Sequence, residues 1–125
     1  MREGKVREMV NDQVGAFGTT LERLGTNVIL GLSGEFVLGS IDDFDAALDE
    51  VRSEPLELLV IDLRPLDFLD SSGLRALVAA EGRALGDGYD LQIVRGSEQV
   101  NEVFRFTGLD RTLPMVEAPP PVHAT

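Results

Sequence analysis

The chain has 125 residues, 43% of them hydrophobic, which suffices for one core and one domain. Its 22 acidic residues against 11 basic ones leave a formal charge of −11, which disfavours nucleic acid and anionic membrane surfaces, since both reward clustered Lys and Arg. With no cysteine it has no disulfide, thiolate nucleophile or Cys-ligated metal, and no stretch approaches the roughly 20 apolar residues of a membrane span.

Met1 to Gly15 carries Arg2, Lys5 and Arg7 but no apolar h-region, which speaks against a secretory signal and for a cytoplasmic protein. Val6, Met9, Val10 and Val14 share one face of a short helix, so residues 1–15 read as an N-terminal arm, docked as that helix or frayed. The arm is also the candidate contact for a homodimer. Residues 16–117 read as the folded domain. Phe17 to Arg23 and Asn27 to Leu32 are two short strands, joined through Gly25 in a hairpin loop, and Ser33-Gly34-Glu35 ends the second.

Ser40 is placed to cap the next helix, with Asp43 three residues on completing an approximate capping box. Ile41, Phe44, Leu48 and Val51 form its apolar stripe, and Pro55 lies just past its end. Asp42, Asp43, Asp45, Asp49 and Glu50 spread around that helix as a solvated face, so no metal site is expected from them. The run Leu58 to Leu63 suits a strand buried on both faces. The following helix places Leu74, Leu77, Val78 and Leu85 on its apolar stripe and ends at Gly86-Asp87-Gly88. Tyr89 to Val94 is the next strand. Ser97 caps a third helix through Val100, Val103 and Phe104 to Gly108, and Leu113 to Val116 is a candidate last strand. Residues 118–125, with three consecutive prolines and the single histidine, His123, read as a solvated, disordered tail.

The order ββαβαβα gives an α/β domain: a mixed four- to five-stranded sheet with helices packed against it. The chemistry converges on Asp70-Ser71-Ser72-Gly73, where a loop leaving the central strand becomes a helix. The serines are either helix caps or carriers of a modification. A phosphate on Ser71 would meet first-turn amides that lack intrahelical partners, and would add about −1.5 to −2 charges beside Asp67 and Asp70. Gly73 is either a simple helix-start residue or room for an approaching partner backbone. Asp62 and Asp67 flank the same loop. No catalytic residues are assigned: Gly31-Leu32-Ser33-Gly34 lacks the G-x-S-x-G spacing of a nucleophile elbow, and His123 cannot serve as base from the tail.

Phe68-Leu69-Asp70-Ser71-Ser72-Gly73-Leu74, directly after Ile61-Asp62-Leu63, resembles the signature of STAS domains, and among them the bacterial anti-sigma factor antagonists. The likeness runs from about Phe17 to Val116 and includes Phe106-Thr107-Gly108-Leu109-Asp110, similar to the family's leucine-threonine-glycine-leucine run. It implies a single STAS-like domain with Ser71 as phosphoacceptor and Asp70, Ser72, Gly73, Leu74 and Glu35 at the partner surface. The chain departs from many such antagonists at Gly34-Glu35-Phe36-Val37, where the second acidic position of the loop is absent.

The resemblance implies a cycle in which the unphosphorylated protein binds an anti-sigma factor that is also a serine kinase, freeing the sigma factor. Phosphorylation of Ser71 ends that complex, and a PPM-type serine phosphatase resets it. The chain is then a substrate and not an enzyme, and it needs no cofactor of its own. The alternative use of the same fold is an unmodified STAS subunit of a signalling or lipid-transport assembly.

Overall fold

A computed structural model describes residues 5–10 and 16–120, with side chains from residue 16 onward. Strands β1 (Lys5–Val10), β2 (Gly18–Leu24) and β3 (Asn27–Phe36) lead into helix α1 (Ile41–Val51). Strands β4 (Leu58–Asp62) and β5 (Leu66–Leu69) precede helix α2 (Ser71–Asp87). Strand β6 (Asp90–Val94), helix α3 (Glu98–Thr107) and strand β7 (Met115–Val116) complete the order.

The sheet is mixed, with strands in the order β1-β2-β3-β4-β6-β7 and β5 beside the end of β3. β1 and β2 run antiparallel to their neighbours, whereas β3, β4, β6 and β7 are parallel. Each parallel step contains a helix, as a parallel connection requires. One face of the sheet contributes Val28, Leu30, Leu59, Ile61, Leu91 and Ile93 to the core. Phe44, Leu48, Leu77 and Phe104 meet them from the three helices. Fully burying a side chain of this size stabilises by ~1.5–3 kcal/mol.

Two strands come in addition to the four or five expected. The arm forms β1, where its apolar spacing predicts a short helix or a frayed end. The free edge of β2 offers Lys5–Val10 a complete antiparallel ladder, from Lys5 opposite Arg23 to Val10 opposite Gly18. An isolated helix of that length would have to meet its own nucleation cost. The second unexpected strand, β5, is only four residues long and pairs with β3 from Gly34 on, so β3 itself continues to Phe36 rather than ending at Leu32.

Two further expectations need correction. Ser40 precedes α1 but its hydroxyl does not cap it. The Ser40 Oγ instead accepts the Val37 N–H at 3.0 Å and donates to the Glu35 carbonyl at 2.8 Å, tightening the turn that leads out of β3. On α2, Val78 and Leu85 are exposed, and the buried stripe is Gly73, Leu74, Leu77, Ala80 and Ala84. Small residues on the inner face let the helix lie close to the sheet, which turns the larger Val78 and Leu85 outward. Ser97 does cap α3, accepting the Val100 N–H at 3.2 Å. The expected tail is described as far as Pro120; residues 121–125, including His123, lie outside the described residues.

Candidate functional site

The site is built where β3 and β5 end together. A register shift between Gly34 and Glu35 bends β3, so that Glu35 stands opposite Phe68 and Phe36 opposite Leu69. Gly34 makes the bend possible: its φ is +77°, and a Cβ there would fall 1.8 Å from the Ala16 carbonyl oxygen. Phe36 is fully buried, stacked on Phe17 with centroids 5.1 Å apart and tilted against Phe44 at 4.8 Å. Its carbonyl accepts the Asp70 N–H at 3.3 Å. The loop that begins α2 is thus tied to a rigid aromatic cluster.

Asp70 is the helix cap. Its backbone is extended, and its Oδ1 accepts the N–H groups of Ser72 at 2.9 Å and Gly73 at 3.0 Å. Of the two readings of the serines as caps or as carriers of a modification, the first therefore fails: Ser71 and Ser72 sit inside the first turn and neither caps it. Ser71 is exposed and Ser72 half-buried. The same hydrogen bonds limit how far first-turn amides could receive a phosphate on Ser71. The carboxylate of Asp70 already occupies two of them, and it adds a negative charge next to the hydroxyl.

The structure brings Glu35, Asp70, Ser71 and Ser72 to one end of the sheet and helix layer. Glu35 is exposed, as are Asp67 and Phe68 on β5. Gly73 and Leu74 are buried; they hold the turn from beneath and do not present a surface. Asp62 does not reach this loop. Its carboxylate accepts from Arg64 Nε at 3.0 Å, from the Arg64 backbone N–H at 3.0 Å and from Arg64 Nη2 at 2.9 Å. That hydrogen bond, with the charge behind it, raises the Arg64 guanidinium above its ordinary value.

Three surface residues near Ser71 escaped the sequence reading. Leu38, in the 3-10 turn Leu38–Ser40 that contacts α2, is 73% exposed, and Phe68 is 42% exposed. Arg75 follows Ser71 by one helical turn and is exposed on the same face, with Val78 a further turn along. The spacing of Arg75 from Ser71 was visible in the sequence. The exposure of Phe68 was not, because a four-residue strand gives too little alternation to assign faces. Among the described residues no helix is long and apolar enough to cross a membrane.

The sequence profile of the family described as "Mlab, STAS domain" matches residues 19–117. A STAS-domain containing protein of Pseudomonas aeruginosa (strain UCBPP-PA14) is 26% identical over 87 residues, covering 70% of this chain and 85% of that protein. An anti-sigma factor antagonist from Mycobacterium paratuberculosis has a similar structure, with a TM-score of 0.72, 25% identity, and 88% of this chain and 92% of that one covered. The anti-sigma factor antagonist SpoIIAA in its unphosphorylated form superposes with a TM-score of 0.68 at 21% identity, over 81% of this chain and 88% of that one. At that identity the last likeness carries the fold alone.

Proposed function

Because the chain belongs to the STAS domain family, we propose that it acts as an anti-sigma factor antagonist whose switch is phosphorylation of Ser71. The observation that carries this reading is the division of labour at the start of α2: Asp70 performs the capping, which leaves the exposed Ser71 hydroxyl uncommitted to the fold. The unphosphorylated surface, with Glu35, Asp70, Ser71 and Ser72 presented and Gly73 and Leu74 supporting them, binds an anti-sigma factor serine kinase and frees a sigma factor. The kinase brings the nucleotide and metal. A phosphoryl group adds about −1.5 to −2 charges. Beside Asp70, with the Ser72 and Gly73 amides already taken, that charge stays at the surface and acts on the partner rather than on the fold. A PPM-type serine phosphatase restores the hydroxyl, and the cycle runs in the cytoplasm.

A second reading is a constitutive STAS subunit of a larger signalling or lipid-transport assembly, with Ser71 unmodified; it is kept because the matching profile is described as a STAS domain and not as an antagonist. Intact mass with peptide mapping, on protein isolated from its native host beside a Ser71→Ala variant, separates the two. A phosphoryl adduct on Ser71, together with loss of kinase binding in Ser71→Asp, supports the switch. No adduct across growth and stress conditions, with stable co-purification of non-kinase partners, supports the assembly.

A further inference from the structure

At the other end of α2 a groove of about 370 Å³ separates the helix from the edge of the sheet. Leu85 and Glu81 form its helical wall, Asp90 and Leu91 of β6 its floor, and Pro114 and Met115 its far side. Strand β7 covers only part of the outer edge of β6. The N–H groups of Ile93 and Arg95 donate to the carbonyls of Pro114 and Val116 at 2.9 and 3.0 Å. The Asp90 N–H points the other way, to Glu57 beside β4. Alternate residues of a strand face alternate neighbours, so Leu91 is the next residue whose N–H and C=O face the groove.

Continuing the β6–β7 register, Ile93 opposite Met115, would place Pro114 where a donor to the Leu91 carbonyl belongs. Proline has no N–H. The chain before it turns away, with the N–H groups of Thr112 and Leu113 donating to Leu109 at 3.1 and 2.8 Å. Among the described residues, Leu91 therefore has no strand partner on this side. What satisfies an open strand edge is an extended backbone.

The walls specify the rest of the occupant. Leu85 is 78% exposed at the lip, and with Met115 it offers an apolar seat. Glu81 and Asp90 supply two carboxylates, and the lining contains no Lys or Arg. We infer that the groove takes an extended basic segment of a partner protein. That segment adds a short strand beside Leu91, sets an apolar side chain against Leu85 and Met115, and presents Lys or Arg to Glu81 and Asp90. This surface does not depend on Ser71 or on its modification.

The test is an amide-resolved NMR titration of the full chain with a blocked pentapeptide, Arg-Val-Lys-Val-Arg, beside its acidic counterpart, Glu-Val-Asp-Val-Glu. The basic peptide is expected to shift the Leu91 and Leu85 amides and to slow exchange of the Leu91 N–H, while the acidic one does neither. Leu85→Asp and Glu81→Lys, both on the exposed or half-buried helix surface, should each weaken binding by about tenfold without unfolding the chain. Equal binding of the two peptides, binding of neither, or shifts centred on Ser71 would overturn the inference. So would a Leu91 amide already protected from exchange in the full chain with no peptide added.

Discussion

The α-carbon of Gly73 faces the carbonyl of Phe36 so closely that a Cβ would lie 2.3 Å from the oxygen and 3.0 Å from the ring. The same carbonyl accepts the Asp70 N–H. The end of β3, the cap of α2 and its third residue are therefore one packed unit. Gly73→Ala sets two effects against each other. Alanine gains about 0.5–1 kcal/mol over glycine within a helix. Forcing an atom into a filled core costs typically 1–3 kcal/mol, and here the obstacle is backbone, which cannot rotate aside. Steric cost wins, and a net loss of about 1–2 kcal/mol is expected in urea unfolding. A variant as stable as the wild type would mean that the helix start moves freely relative to Phe36.

This contact also marks where sequence reading stops. Gly73 in a Ser-Ser-Gly turn suits a partner's approach as well as an internal one, and only the bend at Gly34, which carries Phe36 beneath the helix, decides between them. Helices α1 and α3 were legible because their apolar stripes are long and their ends carry Pro55 and Gly108. β1 was not, because its conformation comes from the edge of β2 rather than from its own residues. The outward turn of Val78 and Leu85 was hidden as well. Helical periodicity allows either face of α2 to pack, and the choice falls to the alanines that permit close approach to the sheet. At the site, the Asp-Ser-Ser-Gly order was legible, but its division between capping carboxylate and free hydroxyl needed the hydrogen bonds.

Asp70→Ala removes the acceptor for the Ser72 and Gly73 amides. Loss of an N-cap of this type costs about 1 kcal/mol, and Asp70→Ser should recover most of it. Hydrogen exchange at Ser72 and Gly73 should accelerate in the alanine variant before any other part of α2 responds. Unchanged exchange at both amides would show that the carboxylate does not hold the turn.

Ser71→Ala and Ser71→Asp should leave stability within about 0.5 kcal/mol of the wild type, the usual range for surface substitutions. The aspartate gains from the positive end of the helix dipole but stands next to the Asp70 carboxylate, so its two contributions oppose each other. Chemical denaturation of the three proteins checks this. A large loss in Ser71→Asp alone would mean that a negative charge at this position unfolds the turn, and a binding defect in that variant could not then be assigned to the partner surface.

Tyr89, the single tyrosine, is buried immediately before β6, beside the ion pair in which Arg52 Nη2 meets Asp87 at 3.1 Å. Burial pushes its phenol above the ordinary value, the Arg52 guanidinium draws it partly back, and the Asp87 carboxylate raises it again. The neutral phenol is the form favoured by the fold, so this contribution to stability is fully present below the unfolded-state value of about 10. It is lost as pH rises through the higher folded-state value. With one tyrosine, phenolate absorbance reports this group without overlap. The folded protein should titrate above a short peptide carrying the same residue, and alkaline unfolding should follow phenolate formation. Arg52→Met should move the titration further upward, because it removes the cation that stabilises the phenolate. A downward shift in that variant would mean that Arg52 acts on Tyr89 chiefly by excluding solvent and not by its charge.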